Sequence, residues 1–223
     1  MEVSDEIELT APQARVLGCL IEKRATTPET YPLTLKALVT ACNQSSSRFP
    51  VVDYDAQLVE TTALALKSKA LVRVVHPAHG ERATRFRHVL DEALGLGEAE
   101  LAVLGVLLLR GAQTVAELRT RTERQHVFAG PGEVDSVLAA LASRPRPLVA
   151  HLERQAGQKE SRWIQMLEAD PEGRAAAAAP SGVSARPARV DPDRVERLES
   201  RVAALEAQVA RLLDELGVDA QSE

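Results

Sequence analysis

Arginines fall in clusters along this chain, and clustered guanidinium groups can grip phosphate. Arg82, Arg85 and Arg87 stand close together beside His88, with His76 and His79 just upstream. Arg119, Arg121 and Arg124 form a second group, and Lys159 with Arg162 a third. Each guanidinium offers a planar fork of donors that matches phosphate oxygens. The plain alternative for each is a solvated side chain paired with a nearby carboxylate, as Arg121 could pair with Glu117. The stretch Asn43-Gln44-Ser45-Ser46-Ser47-Arg48 adds amides, hydroxyls and one more guanidinium. It could follow a phosphate backbone, dock a protein loop, or simply bond its own backbone in a turn. Asn43 and Arg48 are its best candidates for a binding role.

Catalytic chemistry finds little support. His76 and His79 make an HxxH with no third ligand nearby, which reads as a solvated turn rather than a metal site. There is no glycine-rich phosphate loop, nucleophile motif or paired-acid constellation. Cys19 and Cys42 are too few for a disulfide framework or zinc site, and both read as structural thiols. The expectation is a non-enzymatic protein with no cofactor and no metal.

The elements that must hold these side chains are written twice. RVLGCLI (Arg15 to Ile21) returns as AVLGVLL (Ala102 to Leu108). Leu33 to Leu38 answers to Gln113 to Leu118, Val59 to Leu66 to Val134 to Leu141, and Leu71-Val72 to Leu148-Val149. In the first copy Thr10 caps a helix with Pro12 in its first turn. A second helix runs from about Thr34 to Ala41 and a third from about Asp55 to Lys69. Leu71 to Val75 and Arg85 to Val89 form a hairpin. In the second copy a helix spans Glu98 to Leu109. Thr114 with Glu117 forms a capping box, and a third helix runs from about Glu133 to Ser143. Leu148 to Arg154 and Ser161 to Met166 make the second hairpin. The pattern predicts a mostly α protein with small β-hairpins: two tandem winged-helix domains, residues 9–90 and 91–169, after an acidic tail at 1–8.

Beyond these, residues 170–190 read as an Ala- and Pro-rich linker. In 191–217, Val195, Leu198, Val202, Leu205, Val209, Leu212 and Leu216 recur at alternating spacings of three and four. With Arg194 and Arg201 at g and Glu199 and Glu206 at e, this is the pattern of a parallel two-stranded coiled coil, followed by a tail at 218–223. A homodimer through this helix is expected; an amphipathic helix folded back on its own domain is the alternative. The net charge is −5 and aromatics are only 3%. Lys and Arg outnumber Asp and Glu only within 9–90, which argues against a non-specific nucleic-acid coater. No apolar run suits a membrane span and no signal peptide is evident, so a cytoplasmic location is expected.

LTAPQARVLGCLIEK followed by TTPETYPLTLKALVTACNQSSSRFPV resembles the start of the YceH family of bacterial proteins. LLLRGAQTVAELRTRTER, GEVDSVLAAL and GQKESRWIQML resemble its second half, so the likeness covers about residues 8 to 167. It implies a tandem winged-helix fold in a family of largely uncharacterised function. Similar members carry Lys-Ser-Asn-Arg after ACNQ, whereas Ser45 and Ser47 replace the Lys and Asn here. Winged helices usually place the third helix in the major groove. Both third helices start acidic here (Asp53 and Asp55; Glu133 and Asp135), which opposes that contact. The expected function is therefore duplex-DNA binding, in a transcription-related role, by backbone contacts through the wing arginines and the polar loop. The alternative is a protein-interaction scaffold.

Overall fold

In the computed structural model, residues 7–76, 83–152 and 160–168 are described. The chain divides into residues 1–179 and 180–223. The heptad seam from Val195 to Leu216 lies in the second part, outside the described residues; Arg82 and Lys159 belong to the first part and also lie outside the described residues.

Residues 1–179 hold two successive repeat units, and the first opens with α1 (Ala11–Thr26). Thr10 accepts from the Gln13 amide, and the Gln13 side chain accepts from the Thr10 amide in return, so two orphan N–H groups are satisfied. A 3-10 turn (Pro28–Thr30) leads to β1 (Leu33–Thr34) and then α2 (Leu35–Cys42), capped by Thr34. α3 (Ala56–Ser68) begins at Asp55, whose carboxylate accepts from the Leu58 amide. Strands β2 (Val72–Val75) and β3 (Arg85–His88) form the antiparallel hairpin. β1 joins it as a third strand, with Leu33 opposite Phe86.

A short helix the hydrophobic pattern does not announce, α4 (Leu90–Leu94), links the units. It ends at Gly95, whose φ of 62° is the left-handed conformation glycine accepts at no steric cost. The second unit repeats the first: α5 (Glu98–Arg110), α6 (Val115–Thr122), α7 (Pro131–Ala142), then β4 (Val149–Leu152) paired with β5 (Arg162–Gln165). α7 begins two residues before the expected Glu133, because Pro131 occupies its first turn. Gln113 bridges to Trp163 just as Leu33 pairs with Phe86, and each precedes the threonine that caps the second helix. The described chain is thus mixed α/β, rich in helix, with small antiparallel sheets.

Two separate domains would carry two small cores; the described residues form one. A single aliphatic cluster runs from Val16, Leu17 and Leu20 through Leu66 and Leu71 into Leu104, Leu107, Leu138 and Leu141. α1 against α5 is the most extensive helix contact. The repeat explains its closeness. A Cβ on Gly18 would lie 2.9 Å from Leu109 Cγ and 3.1 Å from Leu108 Cβ. A Cβ on the equivalent Gly105 would lie 3.0 Å from Ile21 Cγ2. Ile21 and Leu108 are themselves equivalent positions, so each glycine receives the other helix's matching side chain. The ends are also stitched together. The Leu9 amide donates to Leu167 O at 2.7 Å, and Leu9 forms a parallel bridge to Glu168.

Gly18→Val should overpack this contact and cost about 1–3 kcal/mol, or more if the helices separate. Gly132→Ala, where a Cβ meets open space, should be neutral or slightly stabilising. Urea unfolding of both variants checks this; equal stabilities would contradict the close-packing account.

Candidate functional site

The polar loop is densely hydrogen-bonded, and two buried arginines hold it. Arg15, in the middle of α1, donates to Cys42 O at 2.9 Å and to Pro50 O, so it ties both ends of the loop. Arg48 turns inward. Its Nε donates to Ala41 O at 3.0 Å, and its two terminal nitrogens reach Glu22 Oε1 (3.1 Å) and Oε2 (2.6 Å), Ser47 O and Gln44 Oε1. Its side chain has 0% exposure. Burial raises the Glu22 carboxyl, but the Arg48 guanidinium outweighs this and holds it below its usual range.

Arg48 was expected to face a phosphate. The structure corrects this: its donors are engaged inside the protein, where a carboxylate already supplies the counter-charge. Asn43 is likewise spent on the backbone. Its Oδ1 accepts from the Tyr54 amide and its Nδ2 donates to Tyr54 O, both at 2.8 Å. Cys19 and Cys42 are buried free thiols.

The hairpin arginines are placed differently. Arg85 donates to Pro32 O at 3.1 Å. Arg87 meets Glu92 at 3.1 Å, and Arg73, which the sequence reading passed over, meets the same Glu92 at 2.7 Å. Two guanidiniums therefore share one carboxylate supplied by α4. Beside them Arg24 bonds Asp91 at 2.5 Å. His88 is buried, and burial lowers its pKa to about 4, so at neutral pH it adds no charge to this hairpin.

The second unit has the same ratio. Arg121 lies 3.2 Å from Glu117, and Arg162 lies 3.0 Å from the other oxygen of that carboxylate. The expected Arg121–Glu117 pair is present. Arg119 and Arg124 are exposed, and neither has an ion-pair partner among the described residues. They face different ways. Arg119 lines an open cavity of about 870 Å³ with Asp135 and Glu160. Arg124 lines a cleft of about 400 Å³ between the units, with Lys23, Arg110 and Arg121. Arg110 closes α5 and reads in sequence only as a helix end, so its place in this cleft is visible only in three dimensions.

Among the described residues no group of three or more His, Cys, Asp or Glu side chains could hold a metal ion. None of the described helices is long and apolar enough to cross a membrane.

Two equivalent helix–hairpin units on one core, each with a pair of arginines sharing a glutamate, define a tandem-repeat mixed α/β protein. The chain belongs to the family described as "Protein of unknown function, DUF480", which matches residues 9–158. It is similar to a UPF0502 protein of Pelobacter propionicus, 47% identical over 93% of this chain and 94% of the relative. A UPF0502 protein of Geotalea uraniireducens is 47% identical over 94% and 97% of the two chains, and one of Pseudomonas fluorescens 45% identical over 94% and 95%. These agree with the resemblance to the YceH family.

Arg48→Met should strand Glu22 without its buried partner and cost about 3–5 kcal/mol in urea unfolding. Arg124→Ala, on an exposed side chain, should stay within about 0.5 kcal/mol of the parent. A near-neutral Arg48→Met would remove the buried pair as the loop's anchor.

Proposed function

We propose that residues 9–169 are two tandem winged-helix domains and that the protein binds duplex DNA without catalysing a reaction, in a transcription-related role. The observation that carries this reading is the two-to-one pairing in both repeats, on the hairpin strands in the first and between α6 and β5 in the second. Arg73 and Arg87 share Glu92, and Arg121 and Arg162 share Glu117. Each set keeps one positive charge that its carboxylate leaves unmatched. A phosphate oxygen takes the place of the shared glutamate for one guanidinium while the other stays paired. Spaced along a duplex, such sites give backbone contact without base readout.

The third helices do not enter this contact. Asp55 caps α3, and the Glu133 carboxylate accepts from the Ala129 amide at the start of α7. Negative charge is thus fixed where a phosphate would otherwise meet the helix dipole. The heptad pattern at 191–217 supplies a parallel coiled coil in this reading, and the resulting homodimer doubles the number of phosphate contacts. A second reading is a protein-interaction scaffold. It draws support from α3, whose exposed face carries Leu58 (38%) and Leu64 (44%).

Fluorescence anisotropy of the full-length protein on duplex DNA across a salt series tests the first reading. Affinity should fall steeply with salt. Arg87→Ala and Arg162→Ala should each lower the salt slope by about one unit per protomer. No binding even at low salt would leave the scaffold reading in its place. Ending the chain after Pro180 should give monomers by sedimentation; a truncated protein that remains dimeric would contradict dimerisation through the heptad helix.

A further inference from the structure

The cleft between the units is built from four elements: the last turns of α1, the polar loop, the end of α5, and the end of α6 with the residues that follow it. Four cations line it: Lys23, Arg110, Arg121 and Arg124. Its two carboxylates do not balance them. Glu22 is committed to the buried Arg48 by two hydrogen bonds, and Lys23 reaches it only at 3.5 Å. Glu123 is exposed and pairs with no cation among the described residues. Arg121 is answered by Glu117 from outside the cleft.

Arg110 is the telling residue. It is half-buried, and its one hydrogen bond among the described residues goes to a neutral hydroxyl, Ser47 Oγ, at 2.6 Å. Guanidinium groups withdrawn from water are ordinarily paired with an anion. Among the described residues no carboxylate forms an ion pair with it, and burial, followed by the positive charge of Arg121, outweighs the more distant Glu22 and Glu117 and holds the Arg110 guanidinium below its usual pKa. Ser47, which receives this bond, sits at a φ of 60°. That left-handed conformation is disfavoured for a non-glycine residue and persists only where its surroundings enforce it. The surroundings are Arg48 donating to Ser47 O and Arg110 donating to Ser47 Oγ.

We propose that this cleft binds the phosphate group of a small organic phosphate, with Arg110 and Arg124 as its principal ligands. Phosphate fits better than a monocarboxylate because several cations converge on one small space, and a dianion offers each of them an oxygen. Hydroxyls and amides at Ser46, Thr120 and Gln44 supply neutral donors at the rim. Val106 and Leu109, both nearly fully buried, back the cleft from within the core. A volume of about 400 Å³ lies within the range of small-molecule sites. The ligand bridges the two units, because Arg110 and Arg124 come from the second while Ser46 and Gln44 come from the first.

The test is isothermal titration of full-length protein with inorganic phosphate and with pyrophosphate, against sodium chloride at matched ionic strength. Saturable pyrophosphate binding is expected, weakened at least about tenfold by Arg110→Gln with Arg124→Ala. Arg119→Ala, whose side chain lines the other cavity, should bind as the parent does. If the double variant does not fold, Arg124→Ala alone should still weaken binding severalfold. Absence of saturable binding up to about 10 mM, an affinity weaker than roughly 3 kcal/mol, would overturn the proposal. So would an equal loss in Arg119→Ala, the mark of diffuse surface charge. Duplex DNA that displaces pyrophosphate would assign the cleft to backbone phosphate instead and overturn the small-molecule source. The proposal stands apart from the DNA reading: the salt slope of Arg87→Ala, whose partner Glu92 does not line the cleft, reports on that reading alone.

Discussion

Everything in the described chain depends on how closely α1 and α5 approach. Two helices can sit at short range only where one of them lacks a side chain, and here each helix supplies that gap for the other. Gly18 accepts Leu108 and Leu109; Gly105 accepts Ile21. Because the two glycines occupy the same place in the repeat, the contact has an approximate two-fold character within one polypeptide, the internal counterpart of an isologous interface. Buried leucines then close in around it from α3, α7 and both hairpins, each contributing about 1.5–3 kcal/mol of burial. The cleft exists because the same contact brings the end of α5 beside the polar loop of the first unit.

Electrostatics then distinguishes two kinds of arginine. Arg15 and Arg48 have been taken out of water, and each is compensated by acceptors belonging to the fold: carbonyls at the loop ends for one, Glu22 and Gln44 for the other. Such groups set shape, and their charge does not reach the surface. Arg73, Arg87, Arg121 and Arg162 remain partly in solvent and divide two carboxylates among them. Exposed pairs of this kind add little to stability, commonly under about 1 kcal/mol. They are correspondingly easy to exchange for an external anion. The loop next to the cleft is rigid for the first reason, and the hairpins are open to partners for the second.

Much of this framework was legible in the sequence, and the exceptions have physical causes. Helix starts announced themselves through Thr10, Thr34, Asp55 and Thr114, since a capping side chain acts on its own backbone and needs no tertiary context. The repeat in RVLGCLI and AVLGVLL gave the unit architecture, although what its glycine does becomes visible only when the second helix arrives. α4 was missed because five residues are too few to display a helical period. The identities of the loop residues were right and their direction was not. Asn43 and Arg48 are the residue types that contact phosphate, yet the same donors serve equally well to fasten a loop, and only the position of Glu22 one turn from Cys19 on α1 decides between the two. Arg110 and Lys23 escaped notice because a site shared between units has no spacing to read along one chain.

The internal two-fold has a consequence for how the halves differ. In a true homodimer every change appears on both sides of the axis, so a charge placed at the interface meets its own copy. A tandem chain is released from that rule. The positions that are Arg15, Cys19 and Glu22 in the first unit are Ala102, Val106 and Leu109 in the second. One side of the former symmetry has become a polar lattice that braces a long loop, and the other has become the hydrocarbon floor beneath it. The tandem repeat thus turns a near-symmetric contact into a division of labour, and the cleft lies on the line where the two halves do not match.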